Sequence, residues 1–217
     1  MRKLLCALVL AVALALPALS DAEAAGMYIT PKFIDSLQNT GNVGGDDGLS
    51  SKTRNSFGGG VAVGLHMRDY TEGGVPLRFE FEYATRAKIN DSWSKGLNRG
   101  RHLKAAWQVQ TFQINGFWDI DTGSDFTPYI GAGIGASSIY ESMTSGSGSG
   151  RHNSEDTNMG FAWNVGAGVA YSFTENVALD VGYRFAGFGY SHVKHQGSNV
   201  ENYMTANEFL AGLRFSF

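Results

Sequence analysis

Two short motifs carry residues that bind calcium or phosphate in other proteins, but their surroundings here predict turn and strand structure. Residues 119–125 (Asp-Ile-Asp-Thr-Gly-Ser-Asp) place carboxylates near one another. They lack the glutamate that ends an EF-hand loop, and their composition is typical of a turn. Gly131, Gly133 and Gly135 precede neither a Lys-Ser/Thr pair nor a helix, so they predict no phosphate-binding loop.

Histidines are the other candidates for metal binding or catalysis. His192 and His195 fall in one predicted loop, and two histidines alone make a poor metal site. Ser191 and His192 are adjacent, so they are badly placed as nucleophile and base because neighbours on an extended chain point apart. His66 shares a strand face with Arg68. The sequence therefore predicts no catalytic residue, no cofactor and no metal site, and the protein is not expected to be an enzyme.

Charged residues inside strand-like segments are the stronger signal. Leu77, Phe79 and Phe81 alternate with charged residues, and successive side chains of a strand point to opposite faces. In a soluble sandwich such charges would face water, whereas in a membrane barrel they point inward and the aromatic face meets lipid. We expect an interior network in which Arg78, Glu80 and Glu82 of the third strand form ion pairs across the lumen. Their expected partners are Asp180 and Arg184 of the seventh strand or Glu208 and Arg214 of the eighth.

In the segments that carry these charges, apolar residues alternate with polar or small ones along most of the chain. Five segments show this alternation clearly, and their apolar faces carry no Asp, Glu, Lys or Arg. The segments 27–37 and 103–120 fit less well, because Gln108 and Gln110 share a face with Phe112 and Ile114. A strand longer than the roughly 9–11 residues needed to span a bilayer projects beyond it, where glutamine is harmless.

The connectors between the segments alternate in length, and their number predicts the number of strands. Four long and three short connectors imply eight strands, with both termini at the end of the short turns. This arrangement is typical of an all-β, up-and-down antiparallel transmembrane barrel with short periplasmic turns and four long extracellular loops. An eight-stranded barrel has room inside only for its own side chains. The long connectors are 38–55, 87–102, 141–157 and 187–202, and the short ones are 70–74, 121–126 and 174–176.

The beginning of the chain predicts export. Arg2 and Lys3 precede an apolar run over 4–16, and Ala22-Glu-Ala24 supplies a cleavage pattern. We expect residues 1–24 to be a cleaved signal peptide and residues 25–217 to form the barrel. Cys6 lies in the removed segment, which excludes disulfides and thiol chemistry from the mature chain. The formal net charge of −3 argues against a nucleic-acid partner.

Four strings of residues resemble a known family. Residues 126–135 (Phe-Thr-Pro-Tyr-Ile-Gly-Ala-Gly-Ile-Gly), 161–171, 179–184 (Leu-Asp-Val-Gly-Tyr-Arg) and 212–217 (Gly-Leu-Arg-Phe-Ser-Phe) are similar to opacity-type outer-membrane β-barrel proteins. The transmembrane domain of outer-membrane protein A is a more distant relative. The resemblance extends from about Gly26 to the end. It implies a barrel in the Gram-negative outer membrane whose variable surface loops serve adhesion or host contact.

Two further sets of residues are predicted to contact partners. The resemblance implies that Phe209, Leu213, Phe215 and Phe217 form a signal read by the outer-membrane assembly machinery. Basic residues in a long connector are expected to meet lipopolysaccharide phosphates or acidic host glycans; they are Lys88, Lys95, Arg99 and Arg101.

The function predicted is that of a monomeric, non-enzymatic outer-membrane barrel, either structural or in contact with surface ligands. Its expected partners are outer-membrane lipid and lipopolysaccharide, the assembly machinery and a host ligand. Two alternatives stay open from the sequence: a small channel or porin, and a lipid A-modifying enzyme.

Overall fold

A closed antiparallel sheet makes up almost all of the described structure. The computed structural model describes residues 26–40, 52–69, 71, 74–93, 102–147, 150–195 and 198–217. The predicted signal peptide and Lys95, Arg99 and Arg101 lie outside these residues. The strands are β1 (Met27–Thr40), β2 (Lys52–His66), β3 (Leu77–Arg86), β4 (Ile89–Trp93), β5 (His102–Asp119), β6 (Phe126–Ser147), β7 (Gly150–Ser172), β8 (Val177–His195) and β9 (Ser198–Ser216), and a 3₁₀ turn spans Met67–Asp69.

The sheet closes into a barrel of eight strands, as the sequence predicted. Strands that follow each other in the chain pair with each other, except β3 and β4; β1 pairs with β9, and β3 pairs with both β2 and β5. β4 continues the line of β3 along β5 after an interruption at Ala87 and Lys88. β3 and β4 therefore share one position in the wall. None of the described residues forms a helix long and apolar enough to cross a membrane.

The two ends of the barrel differ. We call the end that holds the β2–β3, β5–β6 and β7–β8 connections, together with Met27 and Phe217, the turn end, and the opposite end the loop end. At the turn end, Asp121 accepts a 2.9 Å hydrogen bond from the amide of Gly123, whose φ is +67°. Glycine adopts this left-handed conformation without strain, so the segment that resembles a calcium loop is a tight turn.

Strands continue further towards the loop end than the alternation predicted. β6 and β7 pair up to Ser147 and Gly150, and β8 and β9 pair up to His195 and Ser198. The predicted boundaries of the loops 141–157 and 187–202 were therefore wrong. Beyond a bilayer both faces of a strand can be polar, so the alternation of side chains fades while the backbone ladder continues.

The outward face is apolar and the interior is polar, the reverse of a soluble protein. Phe81, Ile134 and Phe161 point outward and are 56%, 62% and 62% exposed. Exposed apolar patches of this extent mark contact with a membrane or a partner. We call the set of outward large apolar residues the apolar belt; its members include Phe33, Phe57, Phe79, Phe112, Ile114, Trp118, Ile130, Met159, Val165, Val181, Phe209 and Leu213.

A closed barrel with this belt should show heat-dependent mobility on gels. In dodecyl sulfate without boiling, the continuous ladder keeps the protein compact, so we expect the unboiled sample to migrate apart from the boiled one. The measurement is a pair of gel lanes from membrane extracts. Identical mobility in both lanes, with the protein in the soluble periplasmic fraction, would contradict a membrane barrel.

Candidate functional site

A buried carboxylate organises the loop-end half of the barrel interior. Glu208 of β9 accepts hydrogen bonds from Arg86 Nε and Nη2, both at 2.9 Å. It also accepts a 2.7 Å bond from Arg184 Nε and a 2.8 Å bond from Ser36 Oγ. Arg184 Nη1 reaches across the lumen to Glu82 of β3 at 2.7 Å. Charge-assisted and two-pronged arginine contacts of this kind are strong and fix geometry.

A second group of ion pairs lies closer to the turn end. Lys32 of β1 contacts both Glu80 and Glu82, the latter at 2.7 Å. Arg78 Nε donates to both carboxylate oxygens of Asp119 at 2.8 and 2.9 Å. Arg78 Nη1 also lies 3.2 Å from Glu80.

A third group consists of one ion pair between neighbouring strands: Arg214 of β9 donates to Asp180 of β8 at 2.7 Å.

Two aromatic rings pack against Arg78 of the second group. Its guanidinium carbon lies 4.5 Å from the ring centre of Phe117 and 4.7 Å from that of Tyr129. Such cation–π contacts add to the stabilisation when the cation is shielded from water.

The seven interior residues named from the sequence are all buried, but their partners differ in part from those expected. Glu82 and Arg184 do meet across the lumen. Arg78 instead pairs with Asp119 on the adjacent strand β5, and not with an acid of β8 or β9 as predicted. The choice of partner depends on the stagger of the closed barrel, which alternation within one strand does not reveal.

Three members of the network were missed. Lys32, Arg86 and Asp119 lie in segments where the alternation is interrupted or ends. Arg86 falls on the same strand face as Arg78, Glu80 and Glu82. Following the alternation of β3 two residues further, from 84 to 86, would have identified it. With these three included, the described network contains five acidic and five basic side chains. The charges therefore balance, as buried ions require.

The space left inside this network is small. A cavity of about 40 Å³ is lined by residues that include Lys32, Arg78, Glu82, Asp180 and Arg184. One water requires at least about 10–15 Å³ measured in this way, so the cavity accommodates water and no larger ligand. Nearby, a side chain at Gly133 would overlap Asn115 and Asn164, which hydrogen-bond to each other at 2.8 Å. Inward glycine therefore makes room for long polar side chains.

An apolar cluster that the sequence pattern did not predict fills the interior above the ions, towards the loop end. Phe188 is fully buried, and it continues the inward-facing phase of Asp180, Arg184 and Ala186 as far as the bulge between Gly187 and Gly189. The Arg86 guanidinium lies 4.8 Å from its ring centre. Extending the alternation of β8 to this position would have identified Phe188. The cluster comprises Ile89, Trp107, Val109, Ile139, Ala186, Phe188, Met204 and Ala206.

Together, the ion pairs and the apolar cluster close the described part of the barrel interior. The network fills the lower and middle parts, and the cluster lies across the lumen above it. Within the described residues, the cavity left between the ion pairs has room for water only.

Polar residues cover the outward face just above the apolar belt. Gln108 Nε2 donates to Thr85 Oγ1 at 3.2 Å, and Gln110 Oε1 accepts from Tyr83 Oη at 3.3 Å. Both glutamines of β5 thus hydrogen-bond to side chains of β3 at the upper edge of the belt.

Of the predicted basic set, Lys88 is described. It is exposed, and its Nζ lies 5.1 Å from the ring centre of Tyr140. The Tyr140 hydroxyl hydrogen-bonds Glu155, which raises the pKa of the phenol. Above the apolar belt, these contacts join a cation, an aromatic ring and an acid on the outward face.

The residues of the predicted assembly signal lie along β9. Phe209 and Leu213 are exposed members of the apolar belt, and Phe215 pairs with Val177 and Ile29. The amide of Phe217 donates to the Met27 carbonyl at 3.0 Å. The last residue thus extends the β1–β9 seam that closes the barrel.

The known proteins that this chain resembles are outer-membrane and surface proteins. The family model of the outer membrane protein beta-barrel domain matches residues 6–217. The outer membrane protein PagN of Salmonella typhimurium is 28% identical over 218 residues, which cover 88% of this chain and 90% of that protein. A putative adhesin of Rickettsia bellii is 25% identical and covers 77% of this chain and 73% of its own length. The crystal structure of Neisserial surface protein A superposes with a TM-score of 0.55 at 20% identity, covering 90% of this chain and all of that one.

Proposed function

Since the chain belongs to the outer membrane protein beta-barrel domain family, we propose that it is a non-enzymatic surface-contact protein whose loop end faces outward from the cell. The barrel acts as an anchor, and its outer hairpins bind ligands on host cells or neighbouring surfaces. A relative named as a putative adhesin supports this assignment. The proposal also includes export by the predicted signal peptide, delivery by the assembly machinery and a monomeric state.

The main support for the proposal is the distance by which the β6–β7 hairpin extends beyond the apolar belt. Met159 is the belt residue of β7 nearest the loop end, and the ladder continues from there to Gly150. Nine residues of strand span about 30 Å. A paired hairpin of this length holds its tip well beyond the bilayer, which a purely structural barrel would not need.

Lipopolysaccharide is the second partner that we propose. Lys88 is exposed on the outward face above the belt, the level at which phosphates of the outer leaflet lie. A cation there attracts these phosphates. The remaining basic residues of the predicted set add charge to the same connector in the sequence.

Shortening the hairpin tests the adhesive function. Met143 and Ser154 lie opposite each other, so residues 144–153 can be replaced by Asn-Gly, which forms a two-residue hairpin turn. We expect cells carrying the shortened protein to attach to cultured host cells no better than a deletion strain, while cells with the full chain attach at least about tenfold more.

The control is heat-dependent gel mobility of the shortened protein, which shows that the barrel below the hairpin is intact. Equal attachment of the parent and the deletion strain would contradict the adhesive function. Attachment that depends on the protein but survives shortening would place the contact on another hairpin.

A further inference from the structure

We propose that a groove in the lipid-facing wall, together with Asp35 of β1, binds one molecule of lipid A through a divalent cation. An acyl chain lies in the groove, and a Mg²⁺ or Ca²⁺ ion joins the Asp35 carboxylate to a phosphate of the same lipid. We call the groove and Asp35 the seam site, because they lie on the β1–β9 seam. The inference rests on the proposed function in one respect, since the loop end must face the outer leaflet.

The groove is a gap in the apolar belt. Its volume is about 370 Å³, and it crosses β8, β9, β1, β2 and β3. Its shortest lining side chains are Gly59, Pro31 and Ala211, and larger ones such as Tyr83 and Leu213 stand around them. These side chains all lie at outward positions of their strands. The groove therefore opens to lipid and not to the ion pairs of the interior.

The ladder between β1 and β9 is interrupted beneath the groove. Pairing along β1 stops at Ile29 and resumes at Lys32. Pro31 lies between them and has no N–H to donate. An acyl chain in the groove covers this interruption with apolar atoms.

Asp35 is an acid on the same outward face, closer to the loop end. Phe57 lies opposite it on β2 and Phe209 on β9, and both rings are more than half exposed. The Asp35 Oδ1 atom is buried and has no hydrogen-bond partner among the described residues. A carboxylate between two rings on a lipid-facing wall has lost much of its water, so it requires a cation.

The neighbouring wall does not supply that cation. Among the outward side chains that the structure describes in β1, β2, β3, β8 and β9, no other carries a charge. Lys32 points inward and contacts Glu80 and Glu82. A second copy of this wall would bring another Asp35 and no base. The cation must therefore come with a ligand from the membrane.

The position of Asp35 along β1 places it near the headgroups of the outer leaflet. From Met27 at the turn end to Asp35 the strand covers about 26 Å. For a strand tilted by roughly 35–45° this is a rise of about 20 Å, close to the top of an apolar band about 25 Å tall. The phosphates of lipid A lie just beyond this level. They are anionic, as Asp35 is, so a divalent cation has to lie between them, and Mg²⁺ commonly joins carboxylates to phosphates in this way.

The groove and Asp35 are continuous along β9. Phe33 separates them on β1, and its ring stacks on that of Phe57 of β2 with 5.8 Å between ring centres. The residue opposite Phe33 on β9 is Ala211, whose side chain is a single methyl group. An acyl chain passes over Ala211 from the groove to the carboxylate without displacing a ring.

Two substitutions remove the two halves of the seam site separately. Asp35→Asn keeps the shape of the side chain and removes its charge. Gly59→Leu fills the groove, because a Cβ there would have the Lys32 carbonyl oxygen as its nearest atom at 3.5 Å, an ordinary contact. Gly116→Leu is the matched control. Gly116 faces outward on β5 away from the groove, and a Cβ there would lie 3.5 Å from the Phe79 ring.

The probe is bis-phosphorylated lipid A, titrated into full-length protein that has been refolded in detergent free of lipopolysaccharide. Each titration is done with Mg²⁺ and with EDTA, and bound lipid is counted by native mass spectrometry. We expect the parent and Gly116→Leu to bind at least about tenfold more tightly with Mg²⁺ than with EDTA. Asp35→Asn should bind equally in both conditions. With Mg²⁺, Gly59→Leu should bind at least about tenfold more weakly than Gly116→Leu.

Several outcomes would overturn the proposal. They include Mg²⁺ dependence that Asp35→Asn retains, equal binding by Gly59→Leu and Gly116→Leu, and equal Mg²⁺ dependence with dephosphorylated lipid A. Phosphatidylethanolamine is the rival lipid, because its amine reaches Asp35 without a metal ion; tight binding of that lipid in EDTA, lost in Asp35→Asn, would overturn the proposal in its favour. Dimerisation that Gly59→Leu abolishes, without lipid binding, would do so in favour of a second copy. Should Gly59→Leu lose heat-dependent mobility, Asp35→Asn decides, since its side chain has the parent's shape.

Two further measurements separate this inference from the proposed function. Lys88→Ala should weaken lipid A binding by the same factor with Mg²⁺ and with EDTA, because an amine contacts phosphate directly. Cell attachment that depends on the protein, combined with lipid A binding that ignores Mg²⁺, would overturn the seam site alone. Attachment that is equal in the parent and the deletion strain, combined with Mg²⁺ dependence that Asp35→Asn abolishes, would support the seam site and contradict the adhesive function.

Discussion

A Glu208→Ala variant is expected to lose about 3–5 kcal/mol of stability, the cost of breaking a fully buried ion pair. Glu208 has no exposed surface and accepts bonds from Arg86, Arg184 and Ser36. Among the residues that the structure describes, its removal leaves Arg86 with the Thr111 hydroxyl and without a carboxylate partner. The measurement is urea unfolding of protein in lipid vesicles, followed by tryptophan fluorescence.

Two other variants provide controls for this result. Glu175 lies exposed in the turn between β7 and β8, so Glu175→Ala should change stability by no more than about 0.5 kcal/mol. Arg184→Ala should cost less than Glu208→Ala, because Glu82 keeps Lys32 and Glu208 keeps Arg86. A Glu208→Ala protein as stable as the parent would mean that the network is not what holds the barrel together.

Deletion of Phe217 is expected to leave most of the protein unassembled in the periplasm, with outer-membrane levels at least about tenfold lower. The aromatic ring and the backbone of this residue have separate roles. The ring belongs to the predicted assembly signal together with Phe209, Leu213 and Phe215. The amide bonds the Met27 carbonyl at 3.0 Å, a contact that by itself contributes about 1 kcal/mol. The measurement is quantitative fractionation of cells.

Phe217→Ala separates these roles because it keeps the amide and loses the ring. If the ring is part of the signal, Phe217→Ala should fail to assemble in cells as the deletion does, while both variants refold in detergent. If the ring only contributes to an aromatic girdle at the membrane interface, both variants should reach the outer membrane at nearly normal levels. That second outcome would contradict the signal.

The sequence by itself determined the class of fold and which face of each strand meets lipid. Phe79 and Phe81 lie outward and Arg78 and Glu80 lie inward because side-chain direction alternates along any strand, whatever its neighbours. The connectors between strands then set the number of strands at eight. Such local properties can be read without knowing which residues meet across the barrel.

The partners of the buried charges were decided only by the tertiary structure. Arg78 pairs with Asp119, and Lys32 bridges Glu80 and Glu82, because the stagger of a closed barrel sets which inward residues reach one height. No single segment of sequence contains that stagger. Lys32 and Asp119 were missed for a different reason: each lies in a strand whose own alternation is imperfect.

The loop end was likewise decided by the tertiary structure. The ladder between β7 and β8 ends at Trp163 and Gly187, where the bulge between Gly187 and Gly189 begins. A glycine in a strand marks a bulge, a bend or a close approach, and the sequence does not distinguish these. Only the structure shows that these glycines flank a bulge and that Phe188 packs with Ile139 and Met204 in the interior.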